Sequence, residues 1–418
     1  MVLLVPSSTY RAADFLEAAR RLGVEVVVAS EEPQPLAGVM GDRSLQVDLD
    51  DPEAAATAIV EHDARYAVDA VVALDDRGTE VAGAASLRLG LRTNPPEALR
   101  AARDKLALRH ALARREVPQP AFAEIPASAG DDDVVGVAAS VGFPCVVKPT
   151  TLAASQGVLR ADGPDDVAAV VRRVRAIARS AGVAPGAPLL VERFVDGPEV
   201  AVEGLLSDGA LDVLAVFDKP DPLTGPAFEE TIYVTPSRLP SADVAAATAA
   251  LAAACGAVGL VEGPVHGELR VSGGRASVIE VAARTIGGRC ARALAFGHGR
   301  SLEELVLAQA LGVPLEDRRR APGAAGVLMV PIPAAGRLVG VEGQDEALTV
   351  DGVTGLEITV APGRFVAPPP DGNRYLGFVF ARGARPALVE HALREAGARL
   401  VVRVDTTHDV AGTPSACT

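Results

Sequence analysis

Lysine is almost missing from this sequence: of 40 basic residues only Lys105, Lys148 and Lys219 are lysines, so arginine supplies nearly all generic positive charge. Each lysine is therefore a candidate for a place that needs a compact, flexible ammonium, such as one beside a phosphate. The four cysteines, Cys145, Cys255, Cys290 and Cys417, lie far apart without paired spacing. That argues against a zinc knuckle and against a disulfide framework and fits a reduced compartment. Overall positive charge is lacking too: a net charge of -14 offers no field to gather nucleic-acid phosphates or anionic lipid headgroups. No apolar run is expected to span a bilayer. The apolar opening at 1–6 is too short for a signal-peptide core, lacks a basic start and runs into an amphipathic stretch at 10–22. These absences lead to the expectation of a cytoplasmic protein with no nucleic-acid and no membrane partner. There is also no internal repeat.

What is present is core material. At 418 residues, 49% of them apolar, the chain exceeds the ~250–300 residues at which one core stops growing, so several packed lobes are expected. Short β-branched runs at 2–5, 25–29 and 70–74 alternate with stretches of helical period at 12–22 and 52–66, the pattern of a small doubly wound parallel sheet. Turn chemistry at Gly90-Leu91-Arg92-Thr93-Asn94-Pro95-Pro96 closes this N-terminal lobe at 1–96. Pro96 suits the first turn of one helix over about 97–115, in a linker at 97–117. A middle lobe at 118–195 holds strands at 143–148 and 188–194 and a helix at 164–181. A central lobe at 196–317 alternates strands with Ala-rich helices, one near 241–256, and contains a strand pair at 267–271 and 276–281. A C-terminal lobe at 318–405 reads as short strands and one helix at 385–398, and 406–418 as a disordered tail.

Four constellations carry chemistry. The strand Phe143-Pro144-Cys145-Val146-Val147-Lys148-Pro149 runs into the turn Thr150-Thr151-Leu152-Ala153-Ala154-Ser155-Gln156-Gly157-Val158. A strand holds an ammonium rigidly, and a turn of short side chains can lay backbone N–H groups over phosphate oxygens. It is not a Walker loop, because no Gly-Lys-Ser/Thr is present, and no Gly-x-Gly-x-x-Gly follows the first strand as a Rossmann dehydrogenase would need. Lys105, in Arg103-Asp104-Lys105, lies on the helix that enters the middle lobe. In Leu189-Leu190-Val191-Glu192-Arg193-Phe194-Val195-Asp196-Gly197-Pro198-Glu199 an apolar strand leads into a turn with two carboxylates, able to offer main-chain groups to a base edge and a carboxylate to sugar hydroxyls. The sharpest constellation is His266-Gly267-Glu268-Leu269-Arg270, a Gly-Gly turn, and Val278-Ile279-Glu280-Val281-Ala282-Ala283-Arg284-Thr285-Ile286-Gly287-Gly288. Hairpin pairing would set Glu268 beside Glu280 on one face. Adjacent carboxylates repel unless a cation lies between them, and Mg²⁺ with phosphate oxygens is the natural partner. Arg284 can then reach a charged oxygen with a planar fork.

In order and spacing these residues resemble the nucleotide and metal site of ATP-grasp enzymes, over roughly residues 1–315. The resemblance implies an α/β ATP-grasp fold with an N-terminal doubly wound parallel-sheet lobe, a lid-bearing middle lobe, a central α+β lobe and a small C-terminal α+β lobe. It implies that Lys105 and Lys148 contact ATP phosphates and that Ser155, Gln156 and Gly157 belong to the lid. Glu192, Arg193 and the main chain of Phe194 and Val195 would form the adenine hinge, and Glu199 would bind the ribose. Glu268 and Glu280 would hold Mg²⁺, with Mn²⁺ as a substitute, and Arg284 would hold an acyl phosphate. His266 would orient a substrate carboxylate or assist amine deprotonation. Ala282 departs from the pattern, since many members carry Asn there, which leaves the second metal with fewer protein ligands.

Within the superfamily the likeness is to the L-amino-acid ligases that make dipeptides. It rests on Phe217-Asp218-Lys219-Pro220, on Phe228-Glu229-Glu230-Thr231-Ile232-Tyr233-Val234-Thr235-Pro236, on the His266-x-Glu268 pair and on the C-terminal lobe. Glu229, Glu230, Tyr233, Gly287 and Gly288 are the candidate substrate contacts. The implied reaction activates a small-molecule carboxylate with ATP as an acyl phosphate and joins it to an amine, releasing ADP and phosphate, between amino acids or similar molecules. The alternative is carboxylation through carboxyphosphate, or formate activation. A homodimer is the default assembly.

Overall fold

The computed structural model describes residues 1–7, 9–33 and 41–407, so 408–418 of the expected tail, Cys417 included, lie outside the described residues. The chain forms two compact units. The first is built from Met1–Ala121, Val195–Asp218 and Thr235–Pro322, the second from Phe122–Phe194, Lys219–Val234 and the residues from Gly323 onward.

In the first unit the strands Val2–Leu4, Val27–Ser30, Ser44–Gln46 and Val71–Ala73 form an all-parallel sheet in the order third, second, first, fourth. Parallel strands are apolar because helices cover their faces, here Ala12–Leu22, Pro52–Asp63 and Thr79–Arg88. The stretch expected as one helix over 97–115 is two, Pro96–Arg103 and Lys105–Arg114. Asp104 sits between them in extended conformation, and its side chain accepts from the Ala107 N–H at 2.8 Å. A short acid is worth more as an N-cap than inside a helix, and the restart puts Lys105 at the first helical position.

The first unit's other sheet is antiparallel, in the order Arg275–Ala282, Gly263–Ser272, Glu199–Ser207, Ala210–Asp218. Alternation along each strand sends Val200, Val202, Leu269, Val271 and Val281 into the core with helix Ser241–Val258, and leaves Glu199, Glu203, His266, Glu268 and Arg270 for the opposite face. By length and composition alone, helix Ser241–Val258 is apolar enough to cross a membrane, which corrects the expectation that no segment is. Its buried residues Ala247, Ala250, Leu251, Ala254, Cys255 and Val258 recur at helical spacing and belong to the same core, as in a helix packed on a sheet.

In the second unit the antiparallel sheet Phe122–Ile125, Leu189–Arg193, Cys145–Pro149, Leu159–Ala161 packs with helices Asp131–Val141 and Pro164–Ser180. Four more strands are neighbours in the order Ile232–Thr235, Ala324–Met329, Gly377–Gly383, Val353–Ile358, and share a core with helix Pro386–Arg399. A small sheet joins Phe365–Val366, Gly336–Glu342 and Val401–Asp405.

Candidate active site

The charged face of the first unit's antiparallel sheet is assembled by register. Arg270 pairs across from Glu199, His266 from Glu203, and Glu268 from both Ala201 and Glu280. Glu268 and Glu280 therefore stand side by side, but only because of a bulge. From the turn outward, Ser272 pairs with Arg275 and Leu269 with Val278, and the register then slips so that Ile279 has no opposite residue. Without that slip Glu280 would face the core. Buried Arg109 donates to the carbonyls of Val278 and Ile279 at 2.9 and 2.6 Å, and so ties down the backbone that the bulge takes out of the ladder.

His266 is buried with both ring nitrogens engaged, Nδ1 with the Glu203 carboxylate and Nε2 3.4 Å from Glu268. Burial alone would lower its pKa, but Glu203, with help from Glu268, pushes it up to about 9. A protonated imidazole donating on both sides suits the holding of Glu268 and does not suit taking a proton from an amine. Glu203 also accepts from the Ile286 N–H at 2.8 Å, which fixes the chain just past Arg284. Lys105 reaches to 3.5 Å from Glu280. Arg284 donates through Nε to Asp76 at 2.9 Å. Burial would raise the Asp76 carboxyl, yet the adjacent guanidinium holds it below its ordinary value. Gly288 donates its N–H to the Tyr10 hydroxyl at 2.8 Å, and Gly287 begins the same turn. Buried Ala282 contributes no side-chain donor or acceptor.

In the second unit Lys148 is almost fully buried and its Nζ lies 2.6 Å from Glu192 on the neighbouring strand. Of the expected hinge, the Phe194 N–H is already spent on the Pro144 carbonyl at 2.9 Å, and Arg193 is exposed at the strand end. In the first unit the Val195 carbonyl accepts from Arg270 at 3.1 Å, and Arg270 Nε donates to Glu199 at 2.9 Å. The turn expected to be the lid has Ala154 and Ser155 at φ 55, a left-handed conformation uncommon for residues with a Cβ, followed by Gly157 at φ 71. Gly157 N–H donates to the Pro370 carbonyl at 2.9 Å and Gln156 Nε2 to the Asp371 carbonyl at 3.1 Å. Glu230 accepts from Lys219 at 2.6 Å, from Tyr233 at 2.7 Å and from Tyr375 at 2.9 Å. Glu229 takes no part in that network and lines a pocket that Ala154 and Ser155 help to wall.

Sequence reasoning missed Asp76, Glu203, Arg109 and Tyr375. Glu203 could have been found from the alternation that starts at Glu199 in Glu-Val-Ala-Val-Glu; Asp76 lies 208 residues from Arg284 and left no local signal.

The two units of mixed α/β structure, with parallel and antiparallel sheets, have the ATP-grasp fold. Residues 16–93 match an ATP-grasp N-terminal domain, 141–293 an ATP-grasp domain, and 328–405 an L-amino acid ligase C-terminal domain 2. The chain belongs to the ATP-grasp superfamily. It is similar to the L-amino acid ligase from Bacillus licheniformis, whose crystal structure superposes with a TM-score of 0.78 at 26% identity, covering 97% of this chain and 99% of that one. Alanine-anticapsin ligase from Bacillus subtilis is 29% identical over 239 residues, covering 53% of this chain and 49% of the relative. The chain thus spans about half the length of the alanine-anticapsin ligases it matches. Carboxyaminoimidazole ribonucleotide synthase from Aspergillus clavatus, solved with ATP, shares the fold at a TM-score of 0.71 and 15% identity, with 95% of this chain and 98% of that one covered.

Proposed function

We propose that this chain is an ATP-dependent carboxylate–amine ligase that joins amino acids or amino-acid-like molecules through an acyl phosphate, releasing ADP and phosphate. The observation that carries the reading is the side-by-side pair Glu268 and Glu280, with Lys105 3.5 Å from Glu280 and Arg284 just past the strand that bears it, in a chain that also matches the C-terminal domain of L-amino acid ligases. Two carboxylates presenting hard oxygen donors on a partly exposed face fit Mg²⁺. When bound there, the ion would supply neutralisation of phosphate charge.

Lys105 and Lys148 are the phosphate-binding cations of this reading, each held in place by a carboxylate. The substrate carboxylate attacks the γ-phosphorus as the bond to ADP breaks, a transfer that needs positioning and charge neutralisation more than covalent help. Arg284, aimed by Asp76, holds the acyl phosphate while an amine attacks the acyl carbon and phosphate leaves. His266 stays charged and fixes Glu268.

The test is ADP release by purified protein with Mg-ATP over a panel of amino acids, singly and in pairs, with bicarbonate and formate added separately. The expected result is amino-acid-dependent release with a condensed product one water lighter than the pair by mass spectrometry. Release stimulated only by bicarbonate or formate would keep the nucleotide site and overturn the ligase reading.

A further inference from the structure

Tyr10 and Arg11, just before helix Ala12–Leu22 of the first unit, reach two segments that the sequence keeps far apart. Arg11 is buried, and one terminal nitrogen of its guanidinium donates to the Leu74 carbonyl at 2.9 Å and to the Thr285 carbonyl at 3.4 Å, 63 and 274 residues away. The other terminal nitrogen donates to the Thr285 hydroxyl. Leu74 stands two residues before Asp76, and Thr285 follows Arg284 directly. The same Thr285 carbonyl accepts from Arg284 at 3.1 Å. Tyr10 holds the later part of that turn: its carbonyl accepts from Arg289 and its hydroxyl from Gly288, both at 2.8 Å. The Arg11 guanidinium itself is backed by the Phe15 ring, whose centre lies 5.6 Å away.

Two guanidiniums on one carbonyl repel unless carboxylates answer them, and the surroundings supply these. Asp76 holds Arg284. Asp75 and Glu303 are carboxyls that burial pushes above their ordinary range and that the Arg11 charge draws back. The rigid fork of a guanidinium donates along several fixed directions at once, which the single ammonium of lysine does not reproduce. Asp76 and Arg284 bond through their side chains, so the aim of Arg284 also depends on how far apart the two backbones stand. We propose that Arg11 is a positioning residue for Arg284: it ties the segment bearing Asp76 to the turn bearing Arg284 and so fixes the direction in which that guanidinium meets the acyl phosphate. The role of Arg284 rests on the ligase reading, whereas the clamp rests on the hydrogen bonds of Arg11 to Leu74 and Thr285.

The experiment compares full-length wild type, R11K, R284A and R11K combined with R284A. Lysine keeps a charge beside Asp75 and Glu303 but loses the fork, so the clamp is loosened without stranding the buried carboxyls. R11K is expected to lower kcat for amino-acid-dependent ADP release ~10-fold, the scale of one lost hydrogen bond from a charged donor, with KM for ATP unmoved. In the R284A background the same substitution should leave kcat unchanged, because its route to the reaction is gone. An equal fractional loss in both backgrounds, or a rise in KM for ATP with kcat unmoved, overturns the assignment. T285V removes the hydroxyl that accepts from Arg11 and keeps the side-chain shape. It covers the case in which R11K does not fold, with a smaller loss of kcat that again disappears beside R284A. The ligase reading fails separately, if amino acids stimulate no ADP release by the wild type. Calorimetric titration of inorganic phosphate into protein saturated with Mg-ADP then decides the clamp. Phosphate affinity ~10-fold weaker in R11K, at equal affinity for Mg-ADP, upholds it; equal phosphate affinity in R11K and wild type, or no phosphate binding by the wild type, overturns it.

Discussion

In and beside the charged sheet of the first unit four cations are held by carboxylates: Lys105 by Glu280, Arg284 by Asp76, His266 by Glu203 and Arg270 by Glu199. The pocket of the second unit differs: among the described residues Glu229 and Arg374 make no ion pair, beside a Glu230 that accepts from Lys219, Tyr233 and Tyr375. Groups that must meet charge developing in a reaction gain from being oriented in advance, since no reorganisation is then needed at the moment of transfer. Groups that must recognise a ligand have to leave their own charge unanswered until it arrives. The two regions differ in whether their charges are answered among the described residues.

The contrast can be broken most sharply at Arg284. Arg284→Ala should lower kcat for amino-acid-dependent ADP release by ~10²–10³-fold, the scale of losing one preorganised donor to a developing anion, and Asp76→Asn should cost less because the guanidinium stays charged while losing its aim. Next in size, Glu230→Ala leaves Lys219, almost fully buried, without its carboxylate and should destabilise the fold by on the order of 3 kcal/mol, read from the denaturant midpoint. Asp371→Ala removes only an exposed pair with Arg173 and should cost about 1 kcal/mol or less by the same measurement, since the lid bonds go to backbone carbonyls that remain.

The smallest effect has the most informative sign. Folding raises the Glu229 pKa, so its contribution to stability is present below the ordinary glutamate range and is lost as pH rises through the folded value. Glu229→Gln never ionises and should therefore be more stable than wild type at neutral pH, with the difference closing on acidification in thermal melts. A destabilised Glu229→Gln at neutral pH would show that the carboxylate is answered after all.

The doubly wound parallel sheet was legible because alternating β-branched runs and helical periods report local burial directly. The three lysines were legible as special for a compositional reason, and all three sit against carboxylates. The pairing of Glu268 with Glu280 was anticipated from the hairpin, but the device that produces it was not. A bulge at Ile279 depends on Arg109, 169 residues or more away in sequence, reaching the carbonyls it exposes. The break at Asp104 is a contest between helix period and capping that neighbouring residues alone do not decide. Candidate lid and hinge residues were picked by type, whereas the fact that the Phe194 N–H and the Glu192 carboxylate are already used depends on strand register.

The scarcity of lysine has a practical consequence. The side chains of Lys105, Lys148 and Lys219 are only 11%, 6% and 3% exposed, and each is clamped by a glutamate. An acylating reagent directed at lysine should find almost nothing to attack in the native protein, while every arginine on the surface is invisible to it. Modification at Lys148 or Lys219 would then record transient opening of the second unit and modification at Lys105 opening of the first, which makes the three lysines built-in clocks of local unfolding.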